Sequence, residues 1–188
     1  MEPAPVRLPP QTTGGSFTIT SRLSGWGLAA LFGLCFLGLA VVSRSLSVAT
    51  TTYIPFWLPS GLYVAVLAVN VPRLWFRYCA AALLANAVFD LPSGTPVAAL
   101  LGFYTANTII AVSGAWLLRK FVAERLTLKS LREFLRLVVI AGGVAPALGA
   151  IVGAGTLVAS GMSQSVLASW GTWFLNSTLA NLLLVPLI

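Results

Sequence analysis

The sequence predicts an all-α, polytopic integral membrane protein: a bundle of about six transmembrane helices with its N-terminus in the cytoplasm. Hydrophobic residues make up 58% of the 188 residues and charged residues only 8%, whereas soluble chains are about a quarter charged. The apolar residues fall into runs, several of them close to the roughly 20 residues that cross a bilayer as a helix. These runs do not alternate with polar residues as barrel strands do. Helices are therefore expected, because they satisfy every backbone group within one segment.

Two parts of the chain differ in composition. Residues 1–22 are rich in proline and polar residues and show no apolar period, which predicts a disordered cytoplasmic tail. Residues 23–188 are expected to form one membrane-embedded domain. The first apolar run is longer than the core of a signal peptide and is followed by Arg44, so we interpret it as a retained signal anchor. The predicted segments are 26–42, 53–71, 74–89, 97–118, 135–159 and 166–188.

The positions of the basic residues predict the orientation of the bundle. With the N-terminus inside and six crossings, Arg44 is the only one of the 11 Lys and Arg residues on the outer side. Such an excess of inner positive charge is typical of a plasma-membrane protein of this orientation. The inner set is Arg7, Arg22, Arg73, Arg77, Arg119, Lys120, Arg125, Lys129, Arg132 and Arg136.

Composition also argues against several functions. The chain has no histidine, the commonest zinc ligand and a frequent haem ligand, and no lysine within an apolar run. Cys35 and Cys79 each lie within an apolar run and are interpreted as packing residues rather than a disulfide or metal pair. The sequence contains no nucleophile–base pair, paired carboxylates or phosphate-binding loop. We therefore expect no enzyme activity, no cofactor and no metal. The net charge of +7 lies in the links, so nucleic acid is not an expected partner.

The hexapeptide FWLPSG, residues 56–61, interrupts the second apolar run. Pro59 suits the first turn of a helix, where its missing N–H costs nothing. A helix that begins there has only about 13 residues, or roughly 20 Å, before residue 71. Two alternatives follow: the preceding residues extend into the interfacial aromatic belt, or they enter as irregular backbone that lines a cavity. In the second case the helix N-terminus would attract anionic groups.

Polar residues within the apolar runs suggest a ligand site near the outer half of the bundle. Asn86, Asn107 and Asn176 lie on three predicted segments, and Asn181 follows on the last of them. Asp90 closes the first of these three segments at its outer end. Intramembrane amides either bond across helices or line a site, and both alternatives remain open for each of them. The candidate ligand-binding set is Phe56, Trp57, Pro59, Ser60, Gly61, Asn86, Asp90, Asn107 and Asn176.

The fifth segment has three local signals. Ser130 and Glu133 have the spacing of a capping box at its start. Ala145, Gly149 and Gly153 recur at every fourth residue, which predicts close approach of a neighbouring helix, and Pro146 predicts a kink. Leu126 and Leu128 lie among charges just upstream, so this link is expected to lie along the headgroups.

Five motifs in series resemble the first-described membrane-associated sensor (MASE) domain family of bacterial signalling proteins. They cover about residues 53–188 and are FWLPSGLYVAVLAV, ALLAN at 82–86, NTIIAVSGAWLLRK at 107–120, LREFLRL at 131–137 and the terminal NLLLVPLI. Leu58 departs from the first proline of the family's P-P pair, and Ile110 from an acidic position. Ser177 stands where the family has the aspartate of G-D-x-x-G, so a role of that aspartate is not carried over.

The resemblance implies a sensory input domain that lacks catalytic activity. Family members continue into about eight helices and a histidine kinase or diguanylate cyclase module, so we expect this chain to be truncated before them. The expected partners are the lipid bilayer, an unknown small-molecule ligand and a second copy of the chain, joined through the missing output region. The signal would be that ligand or a state of the membrane. The alternative function is a small transport protein, such as the substrate-binding component of a vitamin uptake system, which has a similar size and topology.

Overall fold

The computed structural model describes residues 25–46, 56–122 and 130–187. The predicted tail at 1–22 and the link with Leu126 and Leu128 lie outside these ranges. Within them the chain is helical and contains no strand. The helices are α1 (Gly25–Ser45), α2 (Leu58–Val69), α3 (Trp75–Asp90), α4 (Val97–Phe121), α5 (Leu131–Ala159) and α6 (Val166–Leu184), with short 3-10 turns at Pro72–Leu74, Leu91–Ser93 and Val185–Leu187. The all-α fold predicted from the sequence is confirmed.

Four helical stretches in the described ranges are long and apolar enough to cross a membrane: Gly25–Ser45, Pro72–Ser93, Val97–Phe121 and Leu131–Ala159. Helix α2 is apolar but has only 12 residues. Helix α6 has 19 residues and includes polar side chains such as Asn176 and Asn181. The two helices that do not belong to this set are therefore α2, which is short, and α6, which carries two asparagines.

Helix α2 is the central element of the bundle. It packs against α1, α4 and α6, and Tyr63, Val64 and Leu67 on it are completely buried. Its N-terminal Pro59 lies in the first turn, as the sequence predicts, so the missing N–H leaves no gap in the hydrogen-bond ladder. At 1.5 Å per residue the helix is only about 18 Å long. Its burial among longer helices explains how so short a segment is accommodated.

An aromatic cluster joins α2 to α1 and α3. The Tyr63 ring lies 5.4 Å from Phe32 and 6.1 Å from Phe36, and Phe32 meets Tyr78 edge to face at 5.5 Å. Rings at these separations gain energy beyond the burial of their area. This cluster fixes the first three helices relative to one another.

Helix α5 changes its winding in the middle. It begins at Ser130, whose side chain accepts a hydrogen bond from the Glu133 N–H, as the capping-box spacing predicts. Residues Val138–Val144 form a π-helical segment, and regular α-helix resumes at Ala145. The irregularity expected at Pro146 is therefore a change of helical winding in the preceding turns.

Small residues let α5 approach its neighbours closely. A Cβ added at Gly149 would overlap the Ala106 carbonyl oxygen and the Ile110 side chain of α4, and one added at Gly153 would overlap the Trp173 ring of α6. The stripe predicted from the sequence therefore packs against both helices.

The two ends of the bundle differ in charge. Among the described residues, every Lys or Arg except Arg44 lies at the end that holds the α2–α3 link and the start of α5. There, Arg119 donates to the Ala68 carbonyl at the end of α2, and Arg136 donates to the Phe121 carbonyl at the end of α4. Arg44 lies at the opposite end, where its guanidinium donates to Ser93 Oγ at 2.6 Å. This distribution matches the charge pattern on which the orientation prediction depends.

Candidate functional site

A cavity of about 460 Å³ opens at the end of the bundle that carries Arg44. Its volume falls in the range of small-molecule sites. Side chains from α3, α4, α5, α6 and the segment before α2 line it, so its shape depends on the whole bundle. The lining residues are Trp57, Asn86, Phe89, Asp90, Phe103, Asn107, Leu157, Met162, Ser163, Ser169, Thr172, Trp173, Asn176 and Ser177.

The structure brings five of the nine predicted site residues into this lining: Trp57, Asn86, Asp90, Asn107 and Asn176. They come from four parts of the chain that are distant in sequence. Asn86 and Asn107 are 1% and 2% exposed, which excludes lipid-facing positions for either amide. The sequence thus predicted the convergence of these side chains. Whether they bind a ligand stays a prediction.

The other four predicted residues do not line the cavity. Phe56 is exposed, whereas Pro59, Ser60 and Gly61 are buried in the first turns of α2. A Cβ at Gly61 would overlap the Ala180 carbonyl oxygen, so α2 and α6 approach closely at this point. Of the FWLPSG hexapeptide, only Trp57 belongs to the cavity. The sequence left open whether the N-terminus of α2 lines a cavity and attracts anions, and the structure packs the first turns of α2 against α6.

Asn181 connects helices and is not among the residues that line the cavity. Its side-chain oxygen accepts a hydrogen bond from Ser60 Oγ at 3.0 Å, and its Nδ2 donates to the Ala141 carbonyl at 2.8 Å. The side chain is completely buried. Asn181 therefore connects α6 to both α2 and α5 through one amide group.

Pro146 explains why α5 needs these bonds. The Ala145 N–H donates to the carbonyl of Ile140, five residues back. The next N–H along the helix would donate to the Ala141 carbonyl at the π spacing or to the Gly142 carbonyl at the α spacing. Residue 146 is proline, however, and has no N–H to donate. The carbonyls of Ala141 and Gly142 instead accept from Asn181 Nδ2 and from Thr178 Oγ1, the latter at 2.6 Å. Side chains on one face of α6 thus donate hydrogen bonds to carbonyl groups at the interrupted part of α5.

Side chains near Trp57 connect α1, α3 and the segment before α2. Trp57 meets Phe89 edge to face at 5.7 Å. The Arg44 guanidinium lies 5.8 Å from the Phe89 ring centre and interacts electrostatically with Asp90. On the other side of α1, Ser43 Oγ accepts from the Leu58 N–H at 3.0 Å, which fixes the start of α2. Arg44 and Asp90 therefore place opposite charges at this end of the bundle.

Three polar atoms of the lining have no hydrogen-bond partner within the described ranges. They are the indole Nε1 of Trp57, the indole Nε1 of Trp173 and the amide Oδ1 of Asn107, and all three are buried. A buried donor or acceptor left unpaired costs about 1–3 kcal/mol. Most such groups in proteins find a partner. All three atoms lie beneath the cavity surface, so a molecule in the cavity does not reach them in this arrangement of the bundle.

The sequence analysis missed the aromatic and hydroxyl part of the lining. Ser169, Trp173 and Ser177 follow one another at every fourth residue on α6, the spacing of one helix face. Polar residues in this pattern, within an otherwise apolar helix, are the signal that could have found them. Ser177 is the position where the resemblance implies an aspartate, and here it is 1% exposed and lines the cavity.

Metal binding has little support in the lining. The described ranges hold no group of three or more Cys, Asp or Glu side chains that could bind an ion. Asp90 is the single carboxylate of the cavity, and the amide oxygens around it are weak ligands alone. The arrangement suits a molecule held by hydrogen bonds and ring contacts.

Comparison with known proteins identifies the relatives of this chain. It is 27% identical over 145 residues to the probable diguanylate cyclase DgcE of Escherichia coli strain K12, a match that covers 77% of this chain and 13% of that protein. The chain therefore spans only a small part of this curated relative. No solved structure matches. The model of the MASE1 family matches residues 28–188, so the likeness includes α1 as well as the motifs recognised from residue 53 onward. MASE1 is a membrane sensory domain of signalling proteins, and the chain belongs to this family.

Proposed function

We propose that this chain is the multi-pass sensory input domain of a bacterial signalling protein of the inner membrane, with a diguanylate cyclase or histidine kinase output. In this proposal a small molecule binds in the cavity from the outer side. The observation that carries it is one cavity of about 460 Å³ whose lining joins Asn86, Asn107 and Asn176 from three helices. Membership of a sensory family and the relation to a probable diguanylate cyclase support it.

The mechanism requires that the ligand bind two arrangements of the bundle with different affinities. Helices α3, α4 and α6 each contribute side chains to the cavity, and α6 also bonds to the π-helical segment of α5. A ligand that draws α6 toward α3 would therefore strain the hydrogen bonds that Thr178 and Asn181 donate to the carbonyls of α5. The α5 segment would transmit that change toward the basic end of the bundle.

The proposal is tested by joining the chain to a diguanylate cyclase module and measuring cyclic di-GMP in cells. Trp57→Ala and Asn107→Ala should change the output several-fold at equal membrane abundance, because each removes a cavity contact. The matched controls are Trp116→Ala and Thr105→Ala, since both side chains are exposed on the outside of α4. Unchanged output in both cavity variants would contradict the proposal.

The transport alternative has no comparable support. Family membership favours sensing, and the structure offers no observation specific to transport. Uptake of a labelled vitamin that depends on this chain and a separate ATPase would support the transport function instead.

A further inference from the structure

We propose that the guanidinium of Arg77, held between two aromatic rings at the basic end of the bundle, binds the phosphate of an anionic phospholipid. This site lies between the starts of α1 and α3, at the opposite end of the bundle from the cavity. It is therefore independent of the sensory role proposed for the cavity. Three properties carry the inference: the fixed position of the guanidinium, its unused donors, and the charge and apolar surface around it.

Packing fixes the position of the Arg77 guanidinium. Its central carbon lies 5.5 Å from the ring centre of Trp26 and 5.5 Å from that of Phe76. The two rings meet edge to face at 5.8 Å. A terminal nitrogen of Arg77 also approaches the backbone of Gly25 so closely that a Cβ there would overlap it. Because the faces of aromatic rings attract cations, these contacts hold the charged group in one place.

The protein does not use the donors of this guanidinium. Within the described ranges, no group forms a hydrogen bond or an ion pair with Arg77. Its Nε is buried, whereas its two terminal nitrogens are not, so an acceptor from outside can reach them. Arg119 and Arg136, at the same end, differ because each donates to a helix carbonyl. The planar fork of a guanidinium matches two oxygens of a phosphate, so Arg77 is a positioned cation suited to that group.

The charges nearby favour an anion. Neither α1 nor α3 has an acidic residue in its first turn, and the one carboxylate of α3, Asp90, lies at its far end. Arg73 precedes Arg77 by four residues and is exposed. An anion at Arg77 is therefore attracted by both arginines and is not repelled by a carboxylate of either helix.

The surface beside the guanidinium favours a lipid over a soluble phosphate. Trp26 and Phe76 are 55% and 56% exposed, and Leu34 and Leu84, two turns further along α1 and α3, are each 68% exposed. The orientation predicted from the charges puts this end in the cytoplasmic leaflet, where basic pockets between helices bind lipid head groups. One phospholipid can thus place its phosphate on Arg77 and its acyl chains along this apolar surface.

The test measures lipid binding to the purified full chain in uncharged detergent micelles by native mass spectrometry. The probes are phosphatidylglycerol, which is anionic, and phosphatidylcholine with the same acyl chains, which has a phosphate but no net charge. Glycerol 3-phosphate is the soluble competitor, since it has the phosphate and no chains. We expect phosphatidylglycerol to bind about tenfold more tightly than phosphatidylcholine. Glycerol 3-phosphate should not displace it.

Matched variants connect this preference to Arg77. Arg77→Gln removes the charged fork and should lower the affinity for phosphatidylglycerol about tenfold. Arg77→Lys keeps the charge without the fork and should lower it about threefold. The control is Lys120→Gln, since Lys120 also lies at the basic end over two rings, those of Trp116 and Phe121, but is exposed. This control should change the affinity by less than about twofold.

A second pair of variants tests the aromatic contacts. Trp26→Ala removes one of the two rings that hold the guanidinium and should weaken phosphatidylglycerol binding about threefold. Trp116→Ala removes the ring beneath Lys120 and should leave the binding unchanged. Equal effects of the two substitutions would contradict the role of the Trp26 ring in the site.

Three results would overturn the inference. Equal affinity of the natural chain for the two lipids is the first, and this comparison needs no variant. The second is an equal loss in Arg77→Gln and Lys120→Gln, which would show a general effect of charge. The third is displacement of phosphatidylglycerol by glycerol 3-phosphate, which would show that the phosphate alone is recognised. None of these results bears on the cavity, whose role is tested separately by the output of the fusion.

Discussion

The side-chain amide of Asn181 lies 2.8 Å from the carbonyl oxygen of Ala141, which belongs to the π-helical part of α5 just before Pro146. Asn181 also accepts from Ser60 Oγ. One amide thus satisfies a broken helix and at the same time holds the short helix α2 in place. This relationship makes the stability of the bundle depend on a residue outside the cavity.

Replacing Asn181 with leucine should lower the free energy of unfolding by about 1–3 kcal/mol, because Ser60 and Ala141 would each keep an unpaired polar group. The measurement is unfolding in mixed detergent micelles with increasing denaturing detergent. Thr105→Ala is the control, since Thr105 is exposed and its hydroxyl donates to the Leu101 carbonyl of its own helix. An Asn181→Leu protein as stable as the natural one would contradict the role assigned to this amide.

The bond from Thr178 to the Gly142 carbonyl should matter only while residue 146 is proline. Thr178→Val should cost about 1–3 kcal/mol in the natural chain. In a Pro146→Ala background the new N–H of residue 146 supplies a helical donor, so the same substitution should cost much less. A double-mutant cycle on unfolding free energies measures this coupling. Additive effects would show that Thr178 stabilises the bundle by other means.

Gly61→Ala should destabilise the protein, because its methyl group would overlap the Ala180 carbonyl of α6 and push α2 outward. Gly38→Ala is the matched control, since nothing lies within 4 Å of a Cβ there, and alanine is the better helix former by about 1 kcal/mol. The two variants should therefore shift the thermal midpoint in opposite directions. A neutral Gly61→Ala would contradict the close approach of α2 and α6.

The orientation of the bundle can be tested by labelling single cysteines after Cys35 and Cys79 are replaced with alanine. Arg73→Cys and Arg132→Cys lie at the basic end and should react from the cytoplasmic side of oriented vesicles. Gln164→Cys, in the exposed link between α5 and α6, should react from the other side. Labelling of Arg73→Cys and Arg132→Cys from different sides would contradict the proposed orientation and the outward opening of the cavity.

Local signals in the sequence predicted local features well. Pro59 in the first turn of α2, the Ser130 cap and the small-residue stripe at Gly149 and Gly153 each depend on residues close in sequence, and the structure has all of them. The sequence also predicted that Asn86 and Asn107 converge, because an intramembrane amide must face the bundle interior.

Features that depend on the partner of a residue could not be predicted in the same way. Asn181 and Asn176 are five residues apart on one helix and chemically identical, yet the first bonds to Ala141 and the second lines the cavity. Similarly, Pro146 predicts an irregularity but not its form, because the π winding of Val138–Val144 depends on the donors that α6 presents. Only the packing of α5 on α6 distinguishes these outcomes.

The shortness of α2 has a consequence for how the protein is made. A segment of 12 residues cannot remain stably across a bilayer as a single inserted helix. Its companions on either side, α1 and α4, are long enough to be inserted on their own. We therefore expect α2 to enter the membrane late, drawn between helices that are already there, and to settle only when α6 leaves the ribosome and offers Asn181 to Ser60. The position of α2 would then be fixed only after α6, a later helix, has entered the membrane.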